Sequence, residues 1–226
     1  MRRKINPGAR VSHVSVMEIK WLGHASWMLK AVGKVIYIDP YEGEYSPKGD
    51  LVLASHSHTD HCKEDKLKAA VGPSTTFIAP TDCAKAGVKP TPLKPGDKIR
   101  IGDIEVEAVE AYNVKRFRSP GVPFHPKGFG VGYLIRAEGK TVYHTGDTEF
   151  VPELKKLKGI DLMLCATGGT YTMDNDEAAD LTLAVKPRVA MPMHIWDTDP
   201  TIYKKKVEAG GATKVTILKP GEVYKL

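Results

Sequence analysis

Four side chains that can bind a metal ion lie within six positions of the sequence, in the stretch LASHSHTDHC of residues 53–62. They are His56, His58, Asp60 and His61, and an apolar run precedes them. Imidazole and carboxylate groups are ligands that suit zinc, iron and manganese. A lone histidine there would most simply be solvated, and a lone aspartate would most simply cap a helix. Four together favour a metal site, and other parts of the chain must complete its ligand set.

The position of this cluster follows from the apolar run DLVLAS, which predicts a buried strand. The cluster therefore begins where a strand ends. Because alternate residues of an extended chain project from the same side, His56 and His58 aim at one point. Asp60 and His61 lie in the turn before a predicted helix near Lys63. The loop thus offers ligands to two adjacent points.

The rest of the chain alternates strand patterns with helix patterns. The first 60 residues predict strands at MEIKWLG, ASWMLKA, KVIYIDP and DLVLAS, and a later hairpin turns at Glu138 and Gly139. Helical periodicity is predicted for KEDKLKAAV, TDCAKAG, DNDEAADLTLAVK and PTIYKKKVEAG, the third with a capping box of Asp174 and Glu177. This order favours sheets packed face to face with helices outside.

Length and composition predict one globular α/β domain. The chain has 226 residues, of which 42% are hydrophobic, and we expect a basic extension over residues 1–16 and a single domain over residues 17–226. No apolar stretch approaches the roughly 20 residues that cross a bilayer, and three cysteines agree with a reducing compartment. We therefore expect a cytoplasmic protein without a membrane partner. The net charge of +6 is dispersed, which gives no sign of a nucleic-acid groove.

Several motifs resemble those of the metallo-β-lactamase superfamily. HSHTDH is similar to its H-x-H-x-D-H signature, and YIDP with Asp39, YHTGDT with Asp147 and MPMH with His194 follow in the order of that family. WLGHASW, HPKGFGVGY and GGTYTM resemble the branch of short metal-dependent hydrolases that includes ascorbate-6-phosphate lactonase relatives. The resemblance implies a four-layer αββα sandwich, with the metal site at one edge where the two sheets meet.

The resemblance also implies two divalent metal ions bridged by a hydroxide, with zinc as the first expectation and manganese or iron as alternatives. The implied ligands are His56 and His58 for the first metal, Asp60, His61 and His194 for the second, and Asp147 for both. Asp60 is further implied as the acceptor of a proton during the reaction. Asp39 is implied to support the ligands, although an aspartate before a proline also suits a simple turn.

One position departs from the family pattern. Where relatives have a further histidine for the first metal, this chain has Asn113, whose neutral amide oxygen is a weak zinc ligand. His125 in VPFHPKG is the first candidate to fill the gap, against the alternative of a surface histidine. His24 is the second candidate, although contact with substrate is the role that we favour for it.

The substrate is less clearly indicated by the sequence. The loop from Lys115 to Lys127 is basic, so Arg116 and its neighbours could hold an anionic group near His125, or could form a solvated loop. Tyr171 and Trp196 are candidates for the wall of a small pocket. These features favour a hydrolase of a small lactone, ester or phosphoester.

Two other classes of function are alternatives. One is a nuclease or RNA-processing phosphodiesterase, whose relatives usually carry an added domain or arm, and the other is a non-catalytic metal-binding scaffold. The sequence does not indicate an oligomeric state.

Overall fold

The structure is a computed structural model that describes residues 16–85 and 87–226. The expected extension over residues 1–16 lies outside this range except for Val16. In chain order, the strands are β1 (Glu18–Gly23), β2 (Ser26–Ala31), β3 (Lys34–Ile38), β4 (Leu51–Leu53), β5 (Thr76–Ile78), β6 (Lys98–Ile101), β7 (Ile104–Ala111), β8 (Phe117–Ser119), β9 (Val122–Pro123), β10 (Gly130–Ala137), β11 (Lys140–His144), β12 (Leu162–Ala166), β13 (Val189–Met193), β14 (Lys214–Val215) and β15 (Val223–Lys225). The helices are α1 (Glu64–Ala70), α2 (Asn175–Val185) and α3 (Pro200–Ala209), with 3₁₀ turns at Thr81–Cys83 and Pro152–Lys156.

Two large sheets contain most of the strands. The first has the order β15-β1-β2-β3-β4-β5, and the second has the order β14-β13-β12-β11-β10-β7-β6. In the first sheet β3, β4 and β5 are parallel, and in the second β11 to β14 are parallel. β8 and β9 form a separate short hairpin. Each large sheet thus combines an antiparallel part with a parallel part.

The main apolar core lies between these two sheets. Because side chains alternate along a strand, Leu51 and Leu53 of β4 face this core, whereas Val52 faces the opposite side of the sheet. In β10 of the second sheet, Tyr133 faces the core and Leu134 faces outwards. Both faces of each sheet are therefore apolar, and each outer face must be covered.

Helices cover the two outer faces. Leu67 of α1 belongs to the same buried cluster as Val52, outside the first sheet. Leu181 of α2 and Tyr203 of α3 belong to the cluster of Met163, outside the second sheet. The result is a four-layer αββα sandwich, which confirms the predicted fold class. None of the described helices has the length and apolar character needed to cross a membrane.

Three local predictions differ from the structure. The described residues of TDCAKAG form the 3₁₀ turn Thr81–Cys83 rather than a regular helix. At the start of α2, Asp174 accepts a hydrogen bond from the backbone N–H of Glu177, as a capping box requires, but the Glu177 carboxylate pairs with Arg116 instead of completing the box. The basic loop predicted between Lys115 and Lys127 contains the β8–β9 hairpin.

The carboxyl ends of β1, β3, β4, β7, β11 and β13 lie at one edge of the sandwich, as the parallel and antiparallel pairings require. At this edge the backbone of one sheet contacts that of the other, since the Val131 N–H donates to the Ser55 carbonyl over 2.9 Å. Side chains that follow these strands are therefore brought together from both sheets.

Candidate metal centre

Histidine and aspartate side chains converge at this edge from six segments of the chain. The segments are the β1–β2 turn with His24, the end of β3 with Asp39, the loop after β4 with His56, His58, Asp60 and His61, the segment after β9 with His125, the turn after β11 with Asp147, and the end of β13 with His194. The structure therefore brings together all the ligands that the sequence predicts, together with His24.

Three imidazoles form the first ligand group. The ligand nitrogens of His56, His58 and His125 lie within 4.8 Å of one another. Nδ1 of His58 is 3.0 Å from Nε2 of His56 and 3.3 Å from Nε2 of His125. Burial lowers the pKa of His56, and lowers that of His125 to about 4. Both rings are therefore neutral near pH 7 and can offer lone pairs to a cation.

The second ligand group contains His24, Asp60, His61 and His194, whose ligand atoms also lie within 4.8 Å of one another. Oδ2 of Asp60 is 3.2 Å from Nε2 of His24 and 3.7 Å from Nε2 of both His61 and His194. The expectation that His24 could complete the first group is wrong, because the β1–β2 turn places its ring beside the second.

Asp147 lies between the two groups and is buried. Its Oδ2 is 3.3 Å from Nε2 of His125 in the first group and 3.3 Å from Nε2 of His194 in the second. Its Oδ1 is 3.3 Å from Nε2 of His61. This carboxylate is thus in contact with ligands of both groups.

The carboxylates at this site are held in their ionised form by the histidines around them. Burial alone would raise the pKa of Asp147, but His194 and His61 outweigh it and hold the pKa well below its ordinary value. Conversely, burial opposes protonation of His194, yet Asp147 raises the pKa of this histidine to about 9. The pKa of Asp60 is likewise lowered by the histidines against the effect of its burial. Ionised carboxylates surrounded by imidazoles are an arrangement that a cation stabilises.

Buried polar atoms without a hydrogen-bond partner also indicate a metal site. Among the described residues they include Nε2 of His61, Oδ1 of Asp147 and both ring nitrogens of His194. An unpaired buried polar group costs about 1–3 kcal/mol. Nitrogen and carboxylate donors of this kind suit zinc, and also iron or manganese. The residues present therefore fit the metal ions that the sequence predicts.

Asp39 and Ser55 fix the orientation of two of the histidines. The fully buried Asp39 carboxylate accepts hydrogen bonds from His61 Nδ1 (2.7 Å), Ser55 Oγ (2.8 Å) and the Ser55 backbone N–H (2.6 Å). Since the Ser55 hydroxyl donates its proton to Asp39, it accepts from Nδ1 of His56 at 3.0 Å. Nε2 of both histidines is then free to bind a metal. Asp39 does more than form a turn, and Ser55 was not predicted from the sequence.

Asn113 orients His125. Its Oδ1 accepts hydrogen bonds from the His125 backbone N–H (2.8 Å) and from Nδ1 of the same residue (2.7 Å). Because a carbonyl oxygen cannot donate, Nδ1 of His125 carries the proton and Nε2 keeps its lone pair. Asn113 therefore uses its oxygen to hold a histidine rather than to face the first ligand group.

Glu149 holds the chain that follows Asn113. This carboxylate is fully buried and accepts the backbone N–H groups of Val114 and Lys115 at 2.8 Å and of Arg116 at 2.7 Å. Three successive N–H groups on one carboxylate fix the path of the loop that leads to His125. Sequence reasoning missed Glu149, whose only signal was its place two residues after Asp147 in HTGDTEF.

Arg116 does not face the ligand groups. Its guanidinium lies 2.6 Å from Glu177 and 3.2 Å from Glu149, and its Nε donates to the Gly169 carbonyl at 2.6 Å. These partners occupy its side chain and tie the loop to the segment after β12, and a contact of Arg116 with substrate stays a prediction.

A cavity of about 270 Å³ opens onto the ligand groups. Its lining residues are His58, Asp60, Phe124, His125, Asp147, Tyr171 and Trp196. Tyr171 and Trp196 therefore lie where the sequence predicted a pocket wall, and their role in substrate binding stays a prediction. Phe124 was not predicted.

Unusual backbone conformations also gather at this edge. Four of the seven non-glycine residues with positive φ in the described part of the chain lie here, namely His24, Asp39, His194 and Trp196, with φ between 48° and 51°. Left-handed conformations cost about 1–2 kcal/mol for residues with a Cβ atom. Their concentration beside the ligands points to a site in which placement of side chains outweighs local backbone preference.

Comparison with known families gives a match for most of the chain. The family described as "Beta-lactamase superfamily domain" matches residues 18–194. A metal-dependent hydrolase of Pyrobaculum arsenaticum is 32% identical over 234 residues, which cover 93% of this chain and 100% of that protein. A metal-dependent hydrolase of Desulforamulus reducens is 31% identical over 229 residues, which cover 93% of this chain and 100% of that protein.

Solved structures show the same similarity. A crystal structure from Parabacteroides distasonis, of a protein assigned as a metal-dependent hydrolase, gives a TM-score of 0.83 at 32% identity and covers 90% of this chain and 93% of that chain. A metallo hydrolase of the hyperthermophilic archaeon Ignicoccus hospitalis gives a TM-score of 0.75 at 25% identity, and the match covers 93% of this chain and 98% of that chain.

Proposed function

Because the chain belongs to the metallo-β-lactamase superfamily, we propose that it is a metal-dependent hydrolase of a small ester, lactone or phosphoester. The main support is the position of Asp147, which contacts both ligand groups at the floor of a cavity. The full-length similarity to proteins named metal-dependent hydrolases agrees with this assignment.

Two divalent metal ions, with zinc as the first candidate, would be held by the two groups. The proposed ligands are His56, His58 and His125 for the first ion, Asp60, His61 and His194 for the second, and Asp147 for both. Bound ions of this kind lower the pKa of water and polarise the group under attack. His24 lies next to the second set and is a further candidate ligand there.

The protein's own residues would bind, orient and move a proton. Asp60 lines the cavity, so its carboxylate is placed where it could accept a proton released as water attacks the substrate. Where His24 is not itself a ligand, its Nε2, 3.2 Å away, donates to that carboxylate and fixes its orientation. Asp39, Ser55 and Asn113 hold the histidine rings so that no reorganisation is needed when substrate binds.

The size of the cavity favours a small molecule as substrate. At about 270 Å³ it lies just below the range of roughly 300–1,000 Å³ that is typical of pockets for drug-sized ligands. We accordingly propose a small-molecule partner rather than a polymer.

The test is a joint measurement of metal content and hydrolysis. Purified protein is analysed for metals and assayed on esters, lactones and a phosphodiester before chelation, after chelation and after zinc, manganese or iron is returned. We expect about two ions per chain and hydrolysis that is lost and regained with them. Full metal content without hydrolysis of any compound would favour the non-catalytic scaffold instead.

A further inference from the structure

The walls of the cavity beyond the ligand groups are aromatic. Phe124 and Tyr171 are in edge-to-face contact with ring centroids 4.8 Å apart, and the rings of Tyr171 and Trp196 are 6.2 Å apart. Tyr171 is 38% exposed and Trp196 53% exposed, although both border a buried polar centre. Large aromatic side chains left open to solvent beside a cavity favour contact with an apolar ligand.

The position of Trp196 is fixed by the backbone beside the ligands. Trp196 has a φ of 49°, and its ring packs edge-on against that of His24, 5.1 Å away. Gly168 makes room for this arrangement, since a Cβ atom there would lie 2.8 Å from Cδ1 of Trp196 and 2.4 Å from the His194 carbonyl oxygen. The indole is therefore held over the second ligand group.

Three cations near the cavity are paired with carboxylates. Lys115 lies 3.6 Å from Glu177, Lys127 lies 2.7 Å from Glu153, and Arg116 is held by Glu177 and Glu149. The lining of the cavity, within the described residues, includes no lysine or arginine. Within the cavity, a phosphate group remote from the scissile bond would therefore meet aromatic rings instead of a lysine or arginine side chain.

Arg118 is the exception at the rim. In residues 16–85 and 87–226 it has no carboxylate within ion-pair distance, and its guanidinium donates to the Phe124 carbonyl at 3.2 Å. Its side chain is exposed and is not part of the cavity lining, but it lies near His58, whose pKa is lowered mainly by burial and in part by this positive charge.

Building on the proposed function, we propose that the substrate carries a flat, uncharged apolar group, such as an aryl ring, beside the bond that is cleaved. Phe124, Tyr171 and Trp196 hold this group, and the ligand groups face the carbonyl. This replaces the anionic substrate that the basic loop of the sequence suggested.

The first test compares three methyl esters that differ only in the group beside the carbonyl. Methyl phenylacetate, methyl propionate and methyl phosphonoacetate are assayed with zinc-loaded protein, and each kcat/KM is divided by the alkaline hydrolysis rate of the same ester. We expect methyl phenylacetate to be favoured over both others by at least about tenfold, the size of discrimination that an apolar pocket gives.

Variants test which side chains cause the preference for the phenyl ester. Trp196→Ala should lower the preference for the phenyl ester by about tenfold, mainly through KM, and Trp196→Phe should retain most of it. Phe117→Ala is the matched control, since Phe117 is 46% exposed on the neighbouring hairpin but does not line the cavity. Equal preference in Trp196→Ala, Phe124→Ala and wild type, or a preference for methyl phosphonoacetate, would overturn the proposal.

A binding measurement separates this inference from the proposed function. Phenylboronic acid, methylboronic acid and inorganic phosphate are titrated into zinc-loaded protein by calorimetry. Tighter binding of phenylboronic acid, lost in Trp196→Ala, supports the aromatic subsite even if none of the esters is hydrolysed. If hydrolysis is found but phenylboronic acid binds no better than the other two probes, the hydrolase assignment stands and the aromatic subsite is rejected.

Discussion

Asp147 is the residue on which the two ligand groups depend together. We expect Asp147→Asn to reduce metal content at both positions, because one carboxylate contacts His125 on one side and His194 on the other. Activity should fall at least about 100-fold, since even outer-shell changes at metal sites cost 10–100-fold. Metal analysis and kinetics check this, with Asp176→Asn on the exposed face of α2 as control. Wild-type turnover and metal content in Asp147→Asn would show that the shared role is wrong.

His56 and His194 should serve different ions. His56 belongs to the group with His58 and His125, whereas His194 belongs to the group with Asp60 and His61. His56→Ala should therefore empty mainly the first position and His194→Ala mainly the second. Crystal structures of the two zinc-soaked variants would locate the remaining ion. The same empty position in both variants would contradict this division of ligands.

His125 is expected to bind the first ion, and Asn113 is expected to orient the ring of His125. His125→Ala should selectively weaken binding of the first ion. Asn113→Ala should have a smaller effect and lower the affinity for that ion by about 10–100-fold, because it removes only the acceptor that fixes the ring of His125. Asn113→His in the His125→Ala background should restore binding, since position 113 lies beside the vacated place. Metal titration monitors all three variants. Unchanged affinity for two ions in His125→Ala would assign that histidine to substrate recognition.

At the scale of elements, strand ends were the part of the site that sequence patterns could locate. The buried runs before His56, Asp147 and His194 are strands in the structure, and their shared edge follows from sheet geometry. The partners of Arg116 could not be located, because Glu149 and Glu177 lie 33 and 61 residues away and no local pattern links them. Interactions of this range depend on how loops pack, which periodicity does not encode.

The turn after β11 should be sensitive to a single methyl group. Gly146 has a φ of 59°, and a Cβ atom there would lie 2.7 Å from the Val131 carbonyl oxygen, at the edge where the sheets meet. Gly146→Ala should cost more than about 2 kcal/mol in free energy of unfolding, because backbone strain adds to the clash. Gly139→Ala is the control, since Gly139 has a φ of 71° but no atom within 4 Å of the added Cβ. Denaturant titration measures both, and equal losses would show that the contact with Val131 does not matter.

At the scale of the whole molecule, the ligand groups draw on both sheets. His56, His58 and His61 follow β4 of the first sheet, whereas Asp147 and His194 follow β11 and β13 of the second. The strand order and the family resemblance predicted this layered arrangement. His24 was a candidate ligand, but its place beside the second group, through a left-handed turn with a φ of 49°, was not predicted. An ion held by residues of both sheets links them at the same edge as the Val131 to Ser55 hydrogen bond.

Removal of metal should therefore lower the stability of the entire sandwich and not only of the loops that carry ligands. A ligand that binds only the folded state at 1,000 times its Kd adds about 4 kcal/mol. For a domain of this size that corresponds to a change of roughly 8–16 °C in Tm. Differential scanning calorimetry of chelated and zinc-loaded protein measures the shift, which Asp147→Asn should largely remove because it weakens the ligand shared across the sheets. If the Tm of wild type is the same with and without zinc while metal analysis shows two ions bound, the ions do not join the two sheets energetically, and the packed apolar core between them holds the sandwich alone.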